Sequence, residues 1–270
     1  MIDQLHETVA FLQSAGINKP QVGIVLGTGL GHLATHIKVI REFSYSSIPF
    51  FPVSTVESHA GKLIYGTIGN KTVLAMQGRF HFYEGYSMQQ IVFPIRVMKL
   101  LGIECLLLSN AAGCLNTAWQ KGDLMLLDDH INMLPSNPLI GKNMAELGPR
   151  FPDMSAPYSA DLNQKIQQIA WHKEITLHKG VYVSVMGPML ETRAEYRYLH
   201  RIGADAVGMS TVPEVIAANH MGLPCAAISV LTDDCDPDDL HPVNIEQIIA
   251  VAAQAEVKLS ELFVALIEQL

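Results

Sequence analysis

An α/β fold, one domain over residues 1–270 with a mixed central β-sheet flanked by helices, is the class this sequence predicts. Three observations point to it. Residues 22–26 (Val-Gly-Ile-Val-Leu) and 105–109 (Cys-Leu-Leu-Leu-Ser) are short, almost wholly apolar runs, the mark of strands buried on both faces. Segments with helical spacing alternate with such runs through the second half of the chain. No Ser/Gly-rich linker, charge run or long internal repeat divides the sequence.

The elements follow in order. Residues 3–15 have an amphipathic helical pattern that Gly16 ends, and the buried strand 22–26 comes next. Residues 62–67 and 72–76, split by Gly69-Asn70, read as a hairpin. A helix over 89–101 leads to strand 105–109, and 124–127 is a further strand. From Asn132 to Ser159 the chain is rich in Pro, Gly and Asn, which predicts a long functional loop. Helix 161–173, strand 181–186, helix 191–201, strand 204–208, helix 212–221 and strand 224–230 follow. A last helix covers 244–269.

Bulk composition narrows the function. Hydrophobic residues make up 49% and charged residues 16%, enough for a large core with surface left to bury between subunits. A net charge of −8 argues against a nucleic-acid partner and against an anionic membrane surface. No uncharged apolar stretch reaches the ~18 residues of a membrane span. Met1 leads into Asp3 and Glu7, not into a basic and then apolar leader. Cys105, Cys114, Cys225 and Cys235 have no zinc spacing, so a reducing cytoplasm is expected.

Residues 78–86, Gly-Arg-Phe-His-Phe-Tyr-Glu-Gly-Tyr, are the most informative stretch. Arg79 and His81 follow an apolar strand and project to one side. An Arg fork beside a His suits a phosphate-like dianion, and Tyr83 and Tyr86 add polar-tipped rings. The end of a buried strand is where open α/β sheets place ligands.

Other strand ends carry weaker signals. Gly27-Thr28-Gly29-Leu30-Gly31 allows close backbone approach to an anion, and a plain tight turn is the alternative. It is not a dinucleotide fingerprint, because His32 stands where GxGxxG needs Gly, and it lacks the Lys of a P-loop. His59 is a polar loop residue, and Asn110-Ala111-Ala112-Gly113 is a turn of small residues that a ligand can approach. Glu191 opens the helix 191–201, where the helix dipole favours it anyway. Ser210 or Thr211 is a good helix cap ahead of Pro213. Residues 232–239 hold five Asp in eight positions, without EF-hand spacing, and read as a solvated acidic loop more readily than a metal site.

Taken together, residues 26–31, 58–61, 78–86, 109–113, 128–132 and 203–214 resemble the trimeric purine nucleoside phosphorylases, over about residues 20–265. The resemblance implies a phosphorylase/hydrolase-like fold and reversible phosphorolysis of a purine nucleoside to free base and ribose 1-phosphate. It implies no metal or organic cofactor, inorganic phosphate as co-substrate, and a homotrimer. By the same resemblance Thr28, His59, Arg79, His81, the Ala111 backbone and Ser210 match the phosphate site. Tyr83 and Met209 match ribose contacts, and Glu191 the acceptor of purine N1–H. Tyr182, Leu190 and Val207 match the walls of the base pocket, with Leu190 in place of a usual Phe. Phe151 matches an aromatic that closes the neighbouring subunit's site.

Two positions depart from the 6-oxopurine members of that family. Asp233 replaces a usual Asn, and Ile245 replaces a His that meets the ribose 5′-hydroxyl; both are features of methylthioadenosine phosphorylases, which lack the Glu matched by Glu191. An ionised Asp233 only accepts hydrogen bonds, whereas a protonated one donates to N7. His81, Asp233 and Glu191 are therefore the expected catalytic set, with Glu84 orienting His81. Substitution of Arg79 by Ala is expected to abolish turnover and leave the fold intact. Methylthioadenosine phosphorolysis is the alternative function, and a silent purine- or phosphate-binding protein the remote one.

Overall fold

A computed structural model describes residues 1–27, 30–53, 60–242 and 244–270. Thr28 and His59, both expected at the phosphate site, lie outside the described residues. Among these residues nine strands form one mixed sheet: β1 (Val22–Leu26), β2 (Lys38–Ser44), β3 (Lys62–Ile68), β4 (Lys71–Gln77), β5 (Cys105–Cys114), β6 (Leu124–Asn132), β7 (Leu177–Ser184), β8 (Ala206–Gly208) and β9 (Cys225–Asp234). Their order is β2-β3-β4-β1-β5-β8-β7-β6-β9, and β9 also pairs with β5. Strands β5, β8, β7, β6 and β9 therefore close on themselves as a ring, and β1–β4 extend from it as an open wing. Closure removes free edges from that part of the sheet.

Helices cover both faces. Helices α1 (Ile2–Ser14), α2 (Met88–Leu101) and α5 (Val212–His220) share one core with Val25, Leu74 and Leu108. Helices α3 (Ala160–His172) and α6 (Ile245–Gln269) share another with Ile24, Val73 and Leu107. Neighbouring residues of one strand thus feed opposite cores, which is why β1 and β5 carry no polar face. A Cβ on Gly23 would press on Ile103 Cδ1 at 2.5 Å and Met98 Cε at 2.9 Å, so α2 and the chain after it pack closely on β1 there. A small third core lies under α4 (Arg193–Arg201), where Tyr196 and Leu199 pack on Val207 and Cys235.

Several boundaries differ from the sequence expectation. The turn expected at 110–113 is strand: β5 runs to Cys114, because Asn110, Ala111 and Ala112 pair with Ser229, Val230 and Leu231 of β9. For the same reason β9 runs on to Asp234 and carries Asp233 in the sheet, not in an acidic loop. Glu191 does not open a helix: Thr192 is the N-cap of α4, with its side chain accepting from Glu195 N. Strand β7 starts at Leu177, and β2 was not foreseen, since its residues are mostly exposed and polar. The loop from Met133 to Ser159 holds no helix or strand.

Candidate active site

A cavity of about 170 Å³ opens at the C-terminal ends of β5 and β9, between the chain leaving β4 and the β8–α5 turn. Arg79, His81, Tyr83, Ala111, Val207 and Ser210 line it, as do Met209, Leu190, Glu191 and Asp233. The ring of strands brings together residues that are more than a hundred positions apart in sequence.

Arg79 anchors one end and is 1% exposed. Its Nη1 donates to Ser109 O at 2.7 Å, Ser210 Oγ at 3.2 Å and Thr211 Oγ1 at 3.3 Å. Its Nε pairs with Glu214 Oε1 at 3.0 Å, both side chains buried. Glu214 was not foreseen as a site residue; the signal was one acid in the otherwise apolar start of α5. This ion pair adds a stability cost to the expected effect of Arg79→Ala, because the substitution would leave the Glu214 charge buried alone.

The turn between β8 and α5 is under strain. Thr211 has φ 70° and ψ −51°, and Val212 N donates to Ser210 O at 2.7 Å. That is a γ-turn of the rare, strained kind, in a residue with a branched side chain. Three contacts hold Thr211 there: Arg79, Ser210 Oγ at 3.1 Å and Asn110 Nδ2 at 2.9 Å. The turn aims Ser210 into the cavity. Thr211 caps α5 by position only, with no side-chain cap bond.

His81 is held by Glu84, as the sequence suggested. Glu84 Oε1 meets His81 Nδ1 and accepts from His81 N, each at 2.8 Å. Tyr83 stacks on the imidazole, centroids 4.7 Å apart and planes 14° apart. Burial, then the Glu84 charge, pushes the Tyr83 phenol up to about 12, so it stays neutral.

The other end of the cavity holds two carboxyls. Burial raises the pKa of Glu191 first; the Asp233 charge adds to the rise, and the Tyr196 hydroxyl opposes it by hydrogen bonding. Asp233 Oδ1 accepts from Thr232 Oγ1 at 2.8 Å, and Oδ2 accepts from the Cys235 thiol at 3.5 Å. Cys235 and Tyr196 are each 1% exposed and interact with one another behind the pair. Nothing local in sequence marked either; they meet because α4 packs on the end of β9. Gly113 leaves room here, since a Cβ would meet Cys235 Sγ at 2.5 Å and Asp233 Oδ2 at 3.1 Å.

Three expected contacts are not in this cavity. Tyr182 is fully buried beneath it: its hydroxyl accepts from Ser210 N at 3.3 Å, and it fills the space that a Cβ on Gly208 would need. It supports the floor of this cavity and does not line it. Ile245 is 60% exposed at the first turn of α6, and Ile248, one turn further in, lines the cavity in its place. Phe151 is 85% exposed on the long loop, with the Arg150 guanidinium 5.7 Å from its ring centre. A second cavity of about 430 Å³ shares Thr232, Asp233 and Ile248 with the first and continues toward Asp236 and His241.

The family model of the phosphorylase superfamily matches residues 21–268. Purine nucleoside phosphorylase 1 of Bacillus subtilis (strain 168) is 47% identical over 269 residues, covering 100% of this chain and 99% of the relative. The chain belongs to the purine nucleoside phosphorylase family. Crystal structures of Schistosoma mansoni purine nucleoside phosphorylase have the same fold. The one in complex with inosine has a TM-score of 0.94 at 40% identity, covering 100% of this chain and 97% of that one. The one in complex with adenosine has a TM-score of 0.93 at 40% identity, covering 100% and 98%. The phosphorylase described here has no helix, among its described residues, long and apolar enough to cross a membrane.

Proposed function

We propose that this chain, working as one nucleoside phosphorylase domain, cleaves inosine- and guanosine-type nucleosides with inorganic phosphate and also accepts 6-aminopurine nucleosides. The observation that carries this reading is the polarity of the cavity. Arg79, His81 and Ser210 form a cationic, donor-rich end, and Glu191 and Asp233 an acidic end, with Tyr83 and Met209 also on its wall.

The phosphate dianion sits against Arg79, His81, Ser210 and the Ala111 backbone, and Thr28 and His59 complete its site by resemblance. One phosphate oxygen attacks C1′ while the C1′–N9 bond breaks and its electron pair passes to the purine. The ribosyl group carries positive charge at the transition state, which the fixed phosphate stabilises in a dry site. Tyr83 and Met209 flank the sugar. Leu190 and Val207 hold the base. Inorganic phosphate is a co-substrate, and the reaction calls on no metal or organic cofactor.

The acid pair sets the base. Hypoxanthine N1–H donates, so it needs Glu191 ionised; the leaving purine then takes a proton or hydrogen bond at N7 from a protonated Asp233. Adenine N1 accepts, so it needs Glu191 protonated, and its 6-amino group donates to an ionised Asp233. The raised pKa of Glu191 and the acceptor bonding of Asp233 favour the second arrangement more than a Glu–Asn pair does.

Exposure of Phe151 supports its insertion at the site of a neighbouring subunit, in a homotrimer. Four free, buried cysteines fit a reducing cytoplasm. Inosine turnover assayed with and without phosphate tests the reaction: activity that does not depend on phosphate refutes it. Adenosine and 5′-methylthioadenosine then test the base: if neither is turned over, 6-aminopurine acceptance is wrong. Methylthioadenosine phosphorolysis is the second reading, favoured by Asp233 and opposed by Glu191.

A further inference from the structure

Arg96 is a cation in the wrong place. It lies on the buried face of α2 at 0% exposure, and burial alone moves its pKa, down to about 10, so it stays charged at neutral pH. Its partners are poor. Nη1 approaches the Met1 and Met144 sulfurs at 3.4 and 3.3 Å, and Nη2 donates to Pro138 O at a long 3.4 Å. Nε has no partner among the described residues. Thioethers are weak acceptors, and a buried guanidinium without a counter-charge is a large desolvation debt.

No carboxylate of the described residues answers this charge. Glu146 is the one acid on the wall of the adjoining cavity; its side chain is 69% exposed and faces His6 at 3.7 Å. His220, 2% exposed at the end of α5, cannot help, since burial and then Arg96 itself lower its pKa and favour the neutral ring.

Arg96 borders a cavity of about 550 Å³ that shares no residue with the nucleoside cavity. Ile2, Leu139, Ile140 and Met144 give it apolar walls, and Lys142 adds a second cation. Pockets that hold small molecules combine apolar walls with a few placed polar and charged groups that fix orientation, here Arg96, Lys142 and Glu146. A guanidinium fork matches a carboxylate in two parallel hydrogen bonds. The Met1 and Met144 side chains that cover it are flexible enough to swing aside.

We propose that this cavity is a second ligand site, which takes a small carboxylate with an apolar tail and seats its carboxylate on Arg96. The same chemistry could come from a free molecule or from an acidic side chain of a second copy of this chain. The proposal is for the free molecule.

Thermal unfolding of the full-length protein in hexanoate, hexan-1-ol and inorganic phosphate tests it. Hexanoate should raise Tm saturably, by roughly 3 °C or more well above its Kd. Hexan-1-ol should not, and phosphate should act without any dependence on Arg96. The R96M variant should fold, because replacing a buried ion by an apolar side chain is usually tolerated, and should lose the hexanoate response. M144E, which places an internal carboxylate beside Arg96, should raise Tm in buffer alone and also abolish the response. No shift with hexanoate, the result if a neighbouring copy's carboxylate already fills the site, overturns the proposal. So does an equal shift with hexan-1-ol, or a shift that survives in M144E.

Discussion

The Cys235 thiol donates to Oδ2 of Asp233 across 3.5 Å, so a buried sulfur holds a carboxyl on the cavity wall. Burial, and next the Asp233 charge, pushes the thiol pKa well above its ordinary value, which keeps it a donor. Cys235→Val removes one donor of about 1 kcal/mol and keeps the volume, so kcat/KM for adenosine relative to inosine should fall about 5-fold. Cys235→Ser should restore the ratio. Equal ratios in all three proteins would show that the thiol only packs.

Base preference should follow which acid of the pair holds the proton, not pH. Adenine needs Glu191 protonated and Asp233 ionised, and hypoxanthine the reverse, so each complex carries one proton on the pair. The raised pKa of Glu191 keeps that proton to higher pH than in an ordinary glutamate. kcat/KM for adenosine and inosine should therefore decline together as pH climbs from about 5 to 8, with their ratio unchanged. In the D233N variant Glu191 titrates alone, and the adenosine-to-inosine ratio should fall with pH. A ratio that shifts with pH in the unsubstituted protein contradicts the shared proton.

The Arg79–Glu214 pair predicts a split between stability and activity. Arg79→Ala alone leaves a buried carboxylate and should cost about 3–5 kcal/mol in urea unfolding. The double variant R79Q/E214Q should recover most of that stability and remain inactive, with kcat/KM down at least about 100-fold. Recovery of activity together with stability would remove Arg79 from the phosphate site.

Gly208→Ala places a methyl group in the space of the Tyr182 hydroxyl. Overpacking of this kind costs about 1–3 kcal/mol, and here it should also displace Ser210, whose N–H donates to that hydroxyl. Phosphate KM should rise more than nucleoside KM. A rise confined to nucleoside KM would place Ser210 away from phosphate.

Much of this architecture was legible because burial writes itself into short apolar runs, as at Val22–Leu26. Strand β2 was not, because an exposed polar edge such as Lys38–Ser44 has no such signature. The ends of β5 and β9 read as a turn and an acidic loop: Asn110, Gly113 and Asp233 are loop-forming residues locally, and only pairing between the two strands keeps them in the sheet. At the site, Arg79, His81 and Glu84 are close in sequence and could be read together. Tyr196, Cys235 and Glu214 act through contacts made only by tertiary packing, so no local pattern announced them. Tyr182 was on the expected strand, but its direction, under Gly208 and away from the cavity, depends on the β7–β8 register.

The two ends of the cavity beside Arg79 hang on different parts of the chain. The Arg79–Ser210 end comes from the exit of β4 and the β8–α5 turn; the acid pair comes from the β7–α4 segment and the last residues of β9. Substitutions at 191, 233 or 235 therefore need not disturb the strained turn at Thr211. If the acid pair reads the nucleobase, that reading can be re-engineered on its own scaffold, with the anion end left as it stands.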